Sequence, residues 1–234
     1  MKRHIIFFDL GQTLINEWNF IDFFDMKFIE ILNGFGARID KRNYKAIRDS
    51  VIRNRSIGSG GIKELVIEVC RLITQQHYHK LIVDRLEPQI IEWQKNLFRF
   101  FDDAPETITN LSKQYELGII ANQTVDSLKL LNHYNLNQFF KIKVISSEVK
   151  LKKPDPRIFT LAMKLALSKP EDCIMIGDRL DTDIGPANEL GLTTIRTENS
   201  LFKLQQPIDK FEQPTYTVAK LSEIPQVLQS ISYH

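Results

Sequence analysis

The chain has 234 residues, more than the ~100–200 of an average domain, so one large domain or a core carrying an insertion is expected. Its composition, 43% hydrophobic and 26% charged with 10 Gly and 9 Pro, excludes disordered, collagen-like and coiled-coil chains. With 31 Lys and Arg against 29 Asp and Glu the net charge is +2, so no global field selects for nucleic acid or an anionic membrane. Two cysteines, Cys70 and Cys173, are too few for a disulfide framework and fit a reducing compartment. The first apolar run, Ile5-Ile6-Phe7-Phe8, stops at Asp9, short of the ~7–15 residues of a signal peptide, and no small-residue cleavage site follows. No run approaches the ~18 apolar residues of a membrane span. A cytoplasmic protein with no membrane and no nucleic-acid partner is expected.

In chain order, Ile5–Asp9 is rich in β-branched and aromatic residues and reads as a buried strand. The stretch from Asn16 to Asp103 has helix periodicity and no convincing strand. Phe20, Phe23, Phe24, Phe28, Ile31 and Leu32 fall on one helical face, which Gly34-Phe35-Gly36 ends. Asp40 is the expected N-cap of a basic helix running to about Arg55. Ile57–Gly61 is a flexible break; a further amphipathic helix runs from Ile62 to about Gln76, and more helix flanks Pro88. Beyond it, apolar runs at Leu117–Ala121, Lys141–Ile145, Cys173–Ile176 and Leu192–Ile195 alternate with helical patterns at Pro105–Gln114, Val125–His133, Pro156–Leu167 and Asp183–Leu190. Tyr216–Val218 adds a last edge strand, with a short helix near Glu223–Gln229. Strands alternating with helices imply a Rossmann-like α/β fold, a parallel sheet with helices on both faces. The expected division is a core of residues 1–15 and 104–234 with an all-helical cap, residues 16–103, inserted after the first strand.

In an open parallel sheet, ligands bind at the carboxyl ends of the strands. Polar clusters stand at three such ends: Asp9-Leu10-Gly11-Gln12-Thr13, Asn122-Gln123-Thr124, and Gly177-Asp178 through Asp183. Lys152-Lys153-Pro154-Asp155-Pro156 adds cations just before a helix, where Pro156 suits the first helical position. Each cluster alone has a plain reading as turn formers, helix caps or a solvated loop. In this order, each after a strand, they describe a site for a hard divalent cation and a phosphate, since Mg²⁺ takes one or two carboxylates plus water and substrate oxygens.

These residues resemble the haloacid dehalogenase-like (HAD) hydrolases. That family's signature is an apolar strand into Asp-x-Asp-x-Thr/Val, a second strand into Ser/Thr-Asn, a lysine before Pro-Asp-Pro, and a strand into Gly-Asp-x-x-x-x-Asp. The matches are Ile5–Thr13, Ile119–Asn122, Lys153–Pro156 and Ile174–Asp183. The resemblance implies Asp9 as a nucleophile forming an aspartyl-phosphate, with Lys153 neutralising it and the transferring phosphoryl group. It implies Mg²⁺ held by Asp9, Asp178 and the Gly11 carbonyl, with Asp183 at or near that shell. Phosphate would be bound by the Asn122 backbone N–H and by Thr13. The implied partner is a small phosphorylated metabolite.

Two positions depart from the pattern. Gly11 stands where the family's phosphatases carry a second Asp, the acid for the leaving alcohol, and general acid–base catalysis is worth ~10²–10⁴-fold. Ala121 replaces the Ser or Thr that would offer a hydroxyl, and Thr124 is three residues away. The readings are a phosphatase for good leaving groups or with proton transfer supplied otherwise, dehalogenase or phosphonatase chemistry, or an impaired member acting by binding. The Gly177-Asp178 pair argues for Mg²⁺ and against carbon–halogen chemistry. Lys27, Lys45 and Lys63 supply cap lysines, but none sits in a phosphonatase-like motif.

Other residues have competing uses. Arg42, Lys45, Arg48, Arg53 and Arg55 form either an anion-contacting run or a solvated helix face. Trp18 and Trp93 are candidates for a cleft, and Arg179 for a cleft or a surface ion pair. His77 and His79, two residues apart, diverge on a helix and read as surface. Cys70 and Cys173 read as core rather than reactive thiols.

Overall fold

The computed structural model describes residues 4–74 and 78–231; His77 lies outside them. The chain forms two compact units, Met1–Ile15 with Phe100–His234, and Asn16–Arg99.

In the first unit, β1 (Ile5–Phe8) is the middle of a six-stranded sheet. The chain passes through the short strands β2 (Ile15–Asn16) and β3 (Arg99–Phe100) on leaving and re-entering this unit. The other sheet strands are β4 (Glu116–Ala121), β5 (Phe140–Ile145), β6 (Cys173–Gly177), β7 (Thr193–Thr197) and β8 (Tyr216–Val218). All pair in parallel, in the order β5-β4-β1-β6-β7-β8. The apolar runs therefore become strands as expected, shifted by a residue or two, with β7 starting at Thr193 rather than Leu192.

A parallel sheet covered on both faces needs strands apolar on both sides, and every residue of β1 and β6 is buried. On one face Ile5, Phe7, Cys173 and Met175 pack with Ile158, Phe159 and Ala162. Strand order reverses beside β1: the chain from β1 goes to β4 on one side, and from β6 to β7 on the other. The crevice between the carboxyl ends of β1 and β6 is thus the switch point at which such sheets bind ligands. Register brings those ends level, Phe8 beside Ile176, and the Asp9 N–H donates to the Ile176 carbonyl at 2.9 Å.

The second unit consists of α1 (Trp18–Gly34), α2 (Lys41–Arg53), α3 (Ile62–Ile73) and α4 (His79–Leu97). Phe20, Phe24, Phe28 and Leu32, four residues apart, are the buried stripe of α1. Phe23, expected on the same face, is only half-buried and meets Trp93 edge-on at 5.2 Å, so that tryptophan has a packing role. After α1, Gly36 takes φ +86 and the Ala37 N–H reaches back to the Leu32 carbonyl at 3.1 Å, a left-handed cap that favours glycine. Asp40 caps α2 by accepting the Asn43 N–H at 2.7 Å. Where sequence suggested helix on either side of Pro88, α4 runs through it. Among the described residues no helix is long and apolar enough to cross a membrane.

Arg48 departs from both readings of the basic run. It is 3% exposed and pairs with Asp25, itself 1% exposed, and with Asp49 at 2.8 Å. The Tyr44 hydroxyl donates to the other Asp25 oxygen at 2.8 Å. Burial raises the Asp25 pKa, and Arg48 and Tyr44 pull it back. Arg48 is therefore an internal partner, whereas Arg42, Lys45 and Arg53 lie exposed. Removing one half of a buried pair strands the other charge, so Arg48→Ala is expected to destabilise by about 3–5 kcal/mol in denaturant unfolding. A loss below about 1 kcal/mol, as at an exposed pair, would show the network to be dispensable.

Candidate active site

Among the described residues, six α-helices pack in the first unit around this sheet. They are α5 (Ala104–Leu111), α6 (Ser127–His133), α7 (Ser146–Val149), α8 (Pro156–Leu165), α9 (Gly185–Glu189) and α10 (Ile224–Ser230). Asp9 and Asp178 immediately follow β1 and β6. The helical pattern expected from Asp183 to Leu190 is divided: Leu180–Ile184 forms a π-type turn and α9 starts at Gly185. Both Asp183 and Ile184 N–H groups donate to the Arg179 carbonyl, and the wide turn folds Asp183 back over Gly177. A Cβ on Gly177 would lie 2.5 Å from the Asp183 Cβ and Cγ, so this close approach requires glycine.

The result is a cluster in which single carboxylate oxygens of Asp9, Asp178 and Asp183 lie within 4.8 Å of one another. Lys153, just before α8, sends its ammonium into it. Its Nζ donates to Asp9 Oδ1 at 2.6 Å and Asp183 Oδ1 at 2.5 Å, and its side chain is 2% exposed. The second Asp183 oxygen accepts the Arg179 N–H at 3.1 Å. Asp178 Oδ2 is the one buried carboxylate oxygen without a hydrogen-bond partner among the described residues.

Asn122 appears with a role that its backbone alone did not suggest. Its side chain clamps the Lys153 backbone in both directions, Nδ2 donating to the carbonyl at 2.8 Å and Oδ1 accepting the N–H at 2.7 Å. The end of β4 thus holds the lysine in place. Thr13 is 1% exposed, and its Oγ1 has no partner. Gly11 bridges to Ile15 in the turn after β1, and Ala121 is fully buried at the end of β4. Arg179 pairs with Asp181 at 2.8 Å and stacks over Phe202 at 4.1 Å, which makes it an internal ion pair. Cys70 is buried, its thiol pushed up to about 12, and Cys173 is buried in β6; neither is a ready nucleophile.

Electrostatics oppose this cluster as it stands. With all three carboxylates ionised, one ammonium would leave a net double negative charge in a buried place. Burial, then repulsion from Asp183 and Asp9, holds the Asp178 pKa well above the carboxylate range. Burial raises Asp183 to about 6, against the pull of Lys153. Burial disfavours the Lys153 ammonium, but Asp183 and Asp9 outweigh it and keep its pKa above the ordinary value. An all-oxygen donor set, an unpartnered buried carboxylate oxygen and three carboxylates against one ammonium together fit a hard divalent cation.

A sequence profile of the haloacid dehalogenase-like hydrolases matches residues 6–197. Over 231 residues the chain is 24% identical to the glyceraldehyde 3-phosphate phosphatase of Methanocaldococcus jannaschii, covering 97% of each chain. It is 28% identical to the pyrophosphatase PpaX of Bacillus mycoides over 239 residues, 99% of this chain and all of that one. A match to the glyceraldehyde 3-phosphate phosphatase of Methanopyrus kandleri is partial, spanning 61% of this chain and 64% of the relative at 26% identity. Among solved structures, YfnB of Bacillus subtilis, with magnesium bound, superposes with a TM-score of 0.68 at 22% identity over 97% of this chain and 99% of that one, a likeness of fold.

The raised carboxylates give a pH prediction. Between about 3.8 and about 6 the folded chain holds a proton on Asp183 that the unfolded chain has released, so this group's contribution to stability falls as pH rises through that window. Asp178 acts in the same sense. With chelator present, melting temperature is expected to fall relative to the Asp178→Asn variant as pH rises from about 4 to about 6, and saturating Mg²⁺ should flatten that difference. Parallel profiles with and without Mg²⁺ would show that no cation relieves the cluster.

Proposed function

The chain belongs to the haloacid dehalogenase-like hydrolases, and on that footing we propose that it is a Mg²⁺-dependent phosphatase of a small phosphorylated metabolite, acting through an aspartyl-phosphate on Asp9. The observation that carries this reading is the shared Lys153 ammonium, 2.6 Å from Asp9 and 2.5 Å from Asp183, beside the unpartnered Asp178 oxygen. The phosphatase and pyrophosphatase names of full-length relatives support it.

On this reading Asp9 attacks phosphorus with the carboxylate oxygen that Lys153 leaves free, and the bond from phosphorus to the leaving oxygen breaks. Water then cleaves the acyl phosphate, restoring Asp9. Asp9, Asp178 and the Gly11 carbonyl would hold Mg²⁺, with Asp183 at or near that shell, and the ion when bound supplies neutralisation of phosphoryl charge. Lys153 contributes the fixed positive charge on the Asp9 side. Asn122 keeps Lys153 in place and offers its backbone N–H to a phosphate oxygen; the unpartnered Thr13 hydroxyl offers a second donor. Gly11 can give no proton to a leaving alkoxide. Acyl phosphates and phosphoanhydrides, whose leaving groups are of low pKa, need none.

A second reading, an impaired member acting by binding, is favoured by Gly11 and Ala121 alone. A panel of phosphate monoesters and anhydrides with Mg²⁺ separates the two. Asp9→Asn is expected to abolish turnover while the fold survives; equal background rates for both proteins would overturn the enzyme reading and support the binding one. The missing acid makes a finer test. Gly11→Asp is expected to raise alkyl-phosphate turnover by at least ~10-fold more than aryl- or acyl-phosphate turnover. An unchanged alkyl-to-aryl ratio would show that another group already supplies the proton.

A further inference from the structure

Gln12 is a non-glycine residue at φ +52, only 7% exposed, three positions after Asp9. A side chain disfavours that left-handed backbone, so something must hold it there. Its Oε1 accepts the Leu201 N–H at 2.7 Å across 189 residues of sequence. Leu201 opens a short 3₁₀ segment, Leu201–Leu204, just after β7. The same segment also grips the Asp178 loop. Ser200, fully buried, accepts the Phe202 N–H with its Oγ at 2.9 Å, and the Arg196 Nε donates to the Asp178 carbonyl at 3.4 Å. Gln205 Oε1 accepts the Leu180 N–H at 3.1 Å. Arg196 ties the segment down, donating to the Phe202 carbonyl at 2.7 Å and the Gln205 carbonyl at 3.2 Å.

We propose that Gln12 is a positioning residue: through Leu201 it fastens the turn after Asp9 to the segment bound to the Asp178 loop, so that one brace sets where the Gly11 carbonyl stands relative to Asp178. This deepens the metal-site reading above and rests on it. The Thr13, Leu14 and Ile15 N–H groups all converge on the one Leu10 carbonyl, at 3.4, 3.0 and 2.8 Å. Rotation of that turn would carry Gly11 and its carbonyl, while the Asp178 loop stayed with Arg196 and Gln205.

The test uses the whole chain and Mg²⁺ alone as ligand, titrated by calorimetry. Gln12→Met keeps length and loses the acceptor; it is expected to weaken Mg²⁺ binding ~10–100-fold, the range for groups that orient metal ligands. Leu201→Pro removes the donor instead. Ser200, at φ −143 and ψ 168, already has the backbone a following proline needs. The double variant should bind Mg²⁺ no more weakly than the worse single variant, because both remove one bond. Amide exchange over Gly11–Leu14 should accelerate in Gln12→Met. Mg²⁺ affinity within twofold of wild type in Gln12→Met, with only the melting temperature lowered, overturns the proposal. If Gln12→Met does not fold, Gln12→Gly, which relieves the backbone, takes its place under the same criterion. Should wild type itself fail to bind Mg²⁺, the metal reading falls, and unchanged exchange over Gly11–Leu14 in the variant then overturns the brace as well.

Discussion

The buried ammonium of Lys153 is the interaction on which the core site depends. At 2% exposure an unpaired ammonium would cost several kcal/mol, so Lys153 stays charged only because two carboxylates meet it at once. The reverse also holds. Asp9 and Asp183 come close without dispersing because the same cation lies between them. One cation against three carboxylates leaves the assembly short of neutral, and burial followed by repulsion from Asp183 and Asp9 pushes the Asp178 pKa well above the carboxylate range. A cluster that folding alone does not neutralise is one that gains from a ligand bearing two positive charges.

Such a cluster needs a rigid support, and the sheet supplies it. β1 and β6 are adjacent, parallel and in register to their last residues, so the two acidic loops leave the sheet at one level with no adjustable segment between them. Both strands are buried throughout. Local opening there would expose the centre of the core, and repulsion among the carboxylates works against one of the least yielding parts of the molecule. The third carboxylate arrives differently. Asp183 folds back through a π-type turn onto a glycine, a close approach that trades local helix regularity for position.

The parts legible in sequence were those with a local signature. Buried parallel strands are apolar runs, and an acid directly after such a run lies at the strand's carboxyl end; Asp9 and Asp178 could be located on that basis. The α1 stripe and the Asp40 cap are likewise written in neighbouring residues. What escaped was made of long-range polar contacts. Asn122 clamps a backbone 31 residues away, and Gln12 reaches one 189 away; neither spacing leaves a pattern in the chain. Arg48 misled for the same reason. Charge periodicity on α2 says nothing about an acid on α1 waiting beneath it. The Asp183–Leu190 helix was broken by tertiary demand, since the Asp183 side chain has to pack against Gly177.

Gly11 gains meaning in this electrostatic setting. On the proposed mechanism a carboxyl group there would be the acid for the leaving oxygen. Its absence moves the difficulty to the chemical step. On the proposed mechanism the barrier then falls on expelling the leaving oxygen, and the substrate has to meet it with a stable anion of its own. Lys153 cannot serve as the acid instead, because two carboxylates hold its proton and raise its pKa further from neutrality. On that mechanism the features that would make Asp9 a nucleophile also narrow what it could displace, and selectivity for the leaving group would lie in the core before any substrate-contacting residue is considered.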